Sequence, residues 1–178
     1  MPKKWRCTKT ERMCRKSDGV PSRRGYTGCV ELKRILSKAG VVMIVCVAVD
    51  DKNGMMFNKR RQSQDRNLRE HLIKECGGSA LWMNEYSAKQ FGEEIAPNVI
   101  VGNDFLSKAG EEEYCFVENL PLTEVEAKIN KLIIFKWNRV YPADTYFDIS
   151  LEGWKMTETE EFVGSSHELI TKEVWMRE

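Results

Sequence analysis

A short run of basic and polar residues holds the side chains best suited to chemistry in this chain. Arg60 and Arg61 are followed closely by Ser63 and Asp65, and apolar residues at helical spacing begin just after them. Guanidinium groups and the N–H groups of a helix N-terminus both bind phosphate or carboxylate oxygens. We therefore expect Arg60, Arg61, Ser63 and Asp65 to line a ligand pocket. The alternative is a solvated basic loop that balances an acidic domain.

Histidine and cysteine give little support for metal or nucleophilic chemistry. The chain has two histidines, His71 and His167, and none of its six cysteines forms a C-x-x-C pair. Neither histidine stands at zinc-finger spacing from a cysteine pair, so we expect no metal. Ser165-Ser166-His167 has no positioned acid evident in the sequence, so we expect His167 to bond backbone groups within a turn. We expect three of the six cysteines to be reduced thiols in the core: Cys46, Cys76 and Cys115.

Charge is divided unevenly between the first forty residues and the rest of the 178-residue chain. Residues 1–40 hold 12 Lys and Arg against 3 Asp and Glu, which leaves 16 against 24 for residues 41–178. Because residues 1–40 have few large apolar side chains, they predict a disordered basic arm, for which the functional alternative is contact with nucleic acid or anionic lipid. A start codon assigned too early, with Met43 as the true start, is the alternative.

The sequence shows neither a membrane span nor a secretory signal, and this predicts a cytoplasmic protein. Val41–Val49 is an apolar run, but it is too short to span a bilayer. The basic N-terminus is not followed by the apolar stretch and cleavage site of a secretory signal. We therefore expect no membrane partner.

The order of apolar runs predicts one α/β domain over residues 41–178. Val41–Val49 is rich in β-branched residues and suits a strand buried on both faces. Alternating polar and apolar residues in Lys155–Val163 and Leu169–Met176 predict an antiparallel hairpin. We therefore expect three layers, in which helices cover a mostly parallel central sheet that ends in a C-terminal antiparallel hairpin.

Two helix starts can be read from capping residues. Ser63 can cap a helix over residues 64–76, and Gly77 can end it. Thr123 and Glu126 have the spacing of a capping box, which predicts a short helix that begins there.

The domain resembles dihydrofolate reductase in the order of its segments. An early strand ends before Asp51 and Gly54-Met55, and a later series has the family's order: Leu132–Trp137, Tyr141–Asp144, Tyr146–Asp148 and Trp154. The resemblance covers residues 41–178 and implies the reductase fold. It also makes Asp65 the catalytic acid, since the family carries an Asp or Glu in the first turn of its first helix, at the pterin site.

The family's cofactor motifs are absent. Where the family has Gly-Arg-x-Thr, this chain has Asn84-Glu-Tyr-Ser87, and where the family has Gly-Gly it has Glu118-Asn119. Glu85 and Glu118 would bring carboxylates to two phosphate contacts of NADPH, so we expect no NADPH binding. Asn84 and Ser87 are then expected to contact a different ligand, together with Arg60, Arg61 and Ser63.

A second resemblance is to a group of short bacterial proteins often labelled ribonuclease Z. It rests on two segments, Gly54–Asp65 and Gly164–Glu173. That label implies a zinc phosphodiesterase, whose two metals need an H-x-H-x-D-H cluster. Two histidines cannot supply such a cluster, so the residues do not support the label.

The predicted function is a dihydrofolate reductase-like protein of the bacterial cytoplasm that has lost NADPH-dependent reduction and binds a small molecule. One alternative is a nucleic-acid-associated protein that uses the basic arm and Lys59–Arg61; the other is a true but divergent reductase. The net charge of residues 41–178 is negative, which opposes broad nucleic-acid contact. The oligomeric state and the nature of any catalysis stay open.

Overall fold

The computed structural model describes residues 42–92 and 96–178. The predictions for the basic arm, residues 1–40, lie outside the described residues. Within the described part of the chain, no helix is both long enough and apolar enough to cross a membrane.

Ten strands, three short helices and one 3-10 turn make up the described domain. In chain order they are β1 (Met43–Val49), β2 (Gly54–Phe57), β3 (Arg60–Arg61), α1 (Arg66–Cys76), β4 (Leu81–Met83), α2 (Glu85–Ala88), β5 (Val99–Val101), α3 (Phe105–Lys108), β6 (Tyr114–Val117), the 3-10 turn (Glu126–Lys128), β7 (Ile129–Lys136), β8 (Thr145–Tyr146), β9 (Trp154–Phe162) and β10 (Ile170–Arg177).

Seven of the strands form one sheet in the order β5-β4-β6-β1-β7-β10-β9. The five strands from β5 to β7 are parallel, and the hairpin of β9 and β10 continues the sheet in antiparallel register. This is the predicted α/β architecture, with a mostly parallel sheet and a C-terminal antiparallel hairpin. Because all five parallel strands point the same way, residues that follow β1, β4 and β6 meet at one edge.

Strand β1 lies at the centre because its side chains are apolar on both faces. All seven of its residues are buried. Val45 and Val47 belong to one apolar cluster, and Ile44 and Cys46 belong to the cluster on the opposite face. A continuous apolar run of this kind is typical of a parallel strand covered on both sides.

The cysteines of the described domain are core residues, as predicted. Cys46, Cys76 and Cys115 are buried free thiols. Burial raises the pKa of Cys76 and of Cys115 to about 12, and it also raises that of Cys46 well above its ordinary value. Since the thiolate is the reactive form, these three thiols are held in an inert state.

We expect iodoacetamide at mildly alkaline pH to spare these three cysteines in the folded protein. Alkylation should appear at Cys46, Cys76 and Cys115 only after denaturant is added, because burial disfavours the thiolate and blocks access. Peptide-by-peptide mass spectrometry measures each site separately. Rapid labelling of Cys115 under native conditions would contradict the core assignment.

Both helix starts differ from the sequence prediction. The N-cap of α1 is Asp65, whose side chain accepts hydrogen bonds from the N–H groups of Asn67 and Leu68, so Ser63 is not the cap. The carboxylate of Asp65, two positions later in the sequence, takes the role of the cap instead. Gly77 ends the helix in a left-handed conformation, as predicted.

The predicted capping box at Thr123 does not form. A 3-10 turn begins at Glu126, and the Thr123 hydroxyl bonds the Asp148 carboxylate. Asp148 also accepts from the N–H groups of Leu122 and Thr123. A distant carboxylate therefore takes the Thr123 N–H and hydroxyl, both of which a capping box would have used.

A buried lysine fastens the C-terminal hairpin to α1. Lys172 on β10 is only 5% exposed. Its Nζ lies 3.2 Å from Glu75 on α1, and 3.0 Å and 2.8 Å from Glu158 and Glu160 on β9. Burial alone would lower the pKa of Lys172, but the three carboxylates keep it above its ordinary value. Three partners offset the cost of burying one ammonium group.

Candidate functional site

A cavity of about 530 Å³ lies beside the carboxyl end of β1. Its walls come from the β2–β3 hairpin and from the loop that follows β7. The lining residues are Phe57, Asn58, Arg60, Arg61, Gln62, Tyr141 and Pro142. The volume falls within the range of small-molecule sites, and the lining combines aromatic faces with a few polar groups.

Asp50, directly after β1, holds the two walls of this cavity together. Its carboxylate accepts hydrogen bonds from the N–H of Gly54, the N–H of Tyr141 and the amide Nε2 of Gln62. Although burial alone would raise the pKa of Asp50, the backbone donors lower it below its ordinary value. Gly54 is needed at this junction, because a Cβ there would lie 2.5 Å from Gln62 Nε2 and 2.6 Å from Ala143 Cβ.

Arg61 connects the cavity to the ends of β4 and β6. Its Nη2 donates to the Tyr86 carbonyl at 2.7 Å and lies 3.5 Å from Glu118 Oε2. Its guanidinium carbon sits 4.7 Å from the centre of the Tyr86 ring. The neighbouring Arg60 side chain is exposed. Arg61 is therefore fixed by protein contacts, whereas Arg60 has the freedom to meet a ligand.

Glu118 follows β6 and is buried at the carboxyl edge of the sheet, with 6% exposure. Gln90 Nε2 donates to its carboxylate at 3.2 Å, and Arg61 supplies the nearby positive charge. Burial raises the pKa of Glu118, and the Arg61 guanidinium opposes that rise. Burial of the Glu118 carboxylate therefore costs free energy, and the Arg61 guanidinium is the nearby cation that stabilises its charged form.

Asn84 and Ser87 lie at the same edge and serve the local structure. Asn84 caps α2 by accepting from the Ser87 N–H at 2.9 Å, and its Nδ2 donates to Asn119 Oδ1 at 2.7 Å. The Ser87 side chain is fully buried beside the Glu118 carboxylate, and a hydrogen bond from its hydroxyl opposes the rise in the pKa of Glu118. Glu85 is exposed at the first position of α2. The predicted ligand contacts of Asn84 and Ser87 stay predictions.

Asp65 is a buried hydrogen-bond acceptor away from the cavity wall. Its carboxylate accepts from the N–H groups of Ser165 and Ser166 at 3.0 Å and 2.7 Å, in addition to the two N–H groups of α1. The Ser166 hydroxyl and His167 Nδ1 also reach it, at 2.9 Å and 3.3 Å. Although burial alone would raise the pKa of Asp65, these donors hold it far below its ordinary value.

The structure therefore separates residues that the sequence grouped together. Arg60 and Arg61 line the cavity, while Ser63 and Asp65 are not among its lining residues. His167 also differs from its prediction: its ring bonds side chains, Asp65 through Nδ1 and the Tyr141 hydroxyl through Nε2 at 3.0 Å. Ligand contact and catalysis by Asp65 stay predictions, but its six hydrogen bonds already occupy the carboxylate.

Two polar lining residues, Gln62 and Tyr141, were not assigned to the cavity from the sequence. Gln62 stands next to the arginines, and Tyr141 precedes a proline directly after a buried strand. The position of Tyr141, after the parallel strand β7, is a signal that places it where ligands bind in open α/β sheets, whereas Gln62 follows the antiparallel strand β3. Within the described residues no group of three or more His, Cys, Asp or Glu side chains is arranged to hold a metal ion.

The strand order and the position of the cavity can now be compared with those of known proteins. No family model matches the chain, and no curated protein matches it. The domain nevertheless has the dihydrofolate reductase-like α/β fold. Among solved structures it is similar to dihydrofolate reductase from Enterococcus faecalis, complexed with NADP(H) and RAB-propyl.

That similarity has a TM-score of 0.57 and spans 76% of this chain and 96% of the other. The two sequences are 14% identical, so the likeness concerns the fold. The resemblance noted in the sequence is confirmed at that level.

Proposed function

We propose that this protein binds a small anionic ligand with a planar ring, and that it has lost NADPH-dependent reduction. The observation that carries the proposal is the pairing of Arg61 with buried Glu118 beside a cavity that Arg60 also lines. The cavity offers positive charge to a ligand, whereas the adjoining sheet edge presents a carboxylate.

The chemistry of the cavity favours an anion with a flat face. Arg60 is exposed and can form paired hydrogen bonds to a phosphate or carboxylate. Phe57 and Tyr141 supply aromatic surface on which a planar ring can stack. The volume of about 530 Å³ suits a ligand of mononucleotide size.

The sheet edge beside the cavity opposes a dinucleotide. Ligands of open α/β sheets bind outside the carboxyl ends of the strands, where Glu118 is buried here. A carboxylate repels pyrophosphate oxygens, and Arg61 cannot serve both Glu118 and a phosphate. Glu85 adds a negative charge at the first turn of α2, where the helix N-terminus would otherwise favour an anion.

Guanosine 5′-monophosphate is a suitable first probe, because it combines a phosphate with a planar base. We expect saturable binding to the full chain by calorimetry, with a Kd of about 1 mM or tighter. The Arg60→Ala variant should bind about tenfold more weakly, since it loses a charge-assisted hydrogen bond.

The matched control is Lys155→Ala, which removes one exposed positive charge from β9, outside the cavity lining. It should bind the nucleotide like the unmodified protein. Equal weakening by both substitutions would indicate a general charge effect and overturn the assignment of Arg60.

A further inference from the structure

A buried chain of hydrogen bonds joins Asp65 to the cavity wall through His167 and Tyr141. His167 Nδ1 lies 3.3 Å from Asp65 Oδ2, and Nε2 lies 3.0 Å from the Tyr141 hydroxyl. Both Asp65 and His167 are almost inaccessible to solvent, at 2% and 5% exposure. The imidazole also stacks on Trp137, with ring centres 4.6 Å apart. These contacts fix the orientation of the imidazole.

The positions of the hydrogens in this hydrogen-bond network follow from which of its groups can only accept a hydrogen bond. Asp65 is ionised because its pKa is far below the ordinary value, so its oxygens only accept. The Ser166 hydroxyl also lies 3.1 Å from His167 Nδ1, but it is 2.9 Å from two stronger acceptors, Asp65 Oδ2 and the Gln64 carbonyl, and its one hydrogen goes to one of them. His167 Nδ1 then carries the hydrogen that points at Asp65 Oδ2, 3.3 Å away. In the neutral imidazole this leaves Nε2 as an acceptor, so the Tyr141 hydroxyl donates its hydrogen to Nε2.

Gln62 is oriented by the same reasoning. Its Nε2 faces two acceptors, Asp50 Oδ2 at 3.3 Å and the Pro142 carbonyl at 3.4 Å, so the amide nitrogen belongs on that side. The opposite atom, Oε1, is buried and has no hydrogen-bond partner within the described residues. Because solvent cannot reach this oxygen, it does not face the open cavity, and a buried carbonyl oxygen without a donor lowers the stability of the fold.

We propose that the Tyr141 hydroxyl presents a hydrogen-bond acceptor to the cavity that Tyr141 lines, which therefore selects an anion that also carries N–H or O–H donors. The single hydrogen of the Tyr141 hydroxyl is committed to His167, so its oxygen can only accept from a ligand. Asp65 and His167 are positioning residues that set this polarity. The inference rests on the proposed function, because it names the ligand class for the same cavity.

The direction of the hydrogen bonds can be measured without a ligand. Long-range 1H–15N correlation spectra of the full chain distinguish the two tautomers, and His71→Gln identifies the signals of His167. We expect the Nδ1–H tautomer, with an Nε2 signal that moves in Tyr141→Phe because its donor is gone. An Nε2–H tautomer would overturn the proposal, since Tyr141 would then be free to donate into the cavity.

A ligand comparison tests the selectivity. Guanosine 5′-monophosphate carries N–H donors on its base, whereas phenyl phosphate is an aromatic anion without one. Tyr141→Phe should weaken the binding of the nucleotide roughly two- to tenfold, which corresponds to the loss of one neutral hydrogen bond. The affinity for phenyl phosphate should not change. Equal effects on both ligands, or none on either, would overturn the proposal.

The proposed function can fail separately from this inference. If neither anion binds the unmodified protein, the cavity assignment is wrong, and the tautomer of His167 still decides the polarity of the Tyr141 hydroxyl.

Discussion

Replacing Asp65 with alanine is expected to lower the free energy of unfolding by about 3–5 kcal/mol, because several donors lose a charged acceptor and hydrogen bonds to charged groups are worth about 1.5–3 kcal/mol each. The carboxylate joins the start of α1 to the loop between β9 and β10 by accepting four backbone N–H groups. Without it, these donors are left unsatisfied in a region where Gly164 already allows close approach: a Cβ there would lie 2.6 Å from Asp65 Oδ2. Urea unfolding followed by tryptophan fluorescence measures the loss.

Ser63→Ala is the matched control, because Ser63 is the residue that the sequence suggested as the cap. Its effect should stay within about 0.5 kcal/mol, as for a substitution away from caps and buried networks. If Ser63→Ala were as destabilising as Asp65→Ala, the cap would have been assigned to the wrong residue.

The same carboxylate predicts a pH dependence. Because the pKa of Asp65 is lower in the folded protein than in the unfolded chain, its contribution is present above the unfolded pKa of about 3.9 and is lost as the pH falls below it. Asp65→Asn removes this titration. The unfolding free energy of that variant should therefore fall less steeply in acid than that of the unmodified protein, and parallel acid slopes would exclude the assignment.

Replacing Arg61 with alanine is expected to lower the free energy of unfolding by about 3 kcal/mol at neutral pH. The substitution leaves the Glu118 carboxylate buried without its cation, which is the costly half of a broken buried pair. It also removes the contact with the Tyr86 ring and carbonyl. Arg60→Ala, which removes an exposed neighbour, should change stability by less than about 0.5 kcal/mol.

A second substitution separates charge from packing. If the unpaired carboxylate causes the loss, Arg61→Ala combined with Glu118→Gln should recover at least about 1 kcal/mol of it. The loss in Arg61→Ala alone should also grow as the pH rises, since burial raises the pKa of Glu118 and the folded state then disfavours ionisation. A loss that is independent of pH and of Glu118 would point to packing instead.

Local patterns were sufficient for most of the secondary structure. The apolar run of β1 predicted a strand because a strand buried on both faces is apolar throughout. The hairpin segments predicted strands because a strand buried on one face alternates apolar and polar residues. The capping signals were less reliable. Ser63 and Thr123 had the right chemistry, but Asp65 caps a helix that begins two residues later than a Ser63 cap would give, and the Thr123 hydroxyl donates to Asp148.

The candidate site was only partly readable from the sequence. Arg60 and Arg61 stand out as a basic run, and Glu118 stands out against the family pattern. The pairing of Arg61 with Glu118 does not follow from spacing, since it depends on how the β2–β3 hairpin folds over the sheet edge. The same applies to Asp65 and Ser166, which are 101 positions apart.

The proposal that Glu118 and Arg61 keep a dinucleotide away from the carboxyl edge of the sheet makes one direct prediction. A titration of the full chain with NADPH, followed by the fluorescence of the nicotinamide ring, tests it most directly. We predict no saturable binding up to about 1 mM, the weak end of the affinity scale, under conditions in which guanosine 5′-monophosphate binds. Saturable NADPH binding at about 1 µM would contradict the account, because the buried carboxylate would then be no barrier to the cofactor.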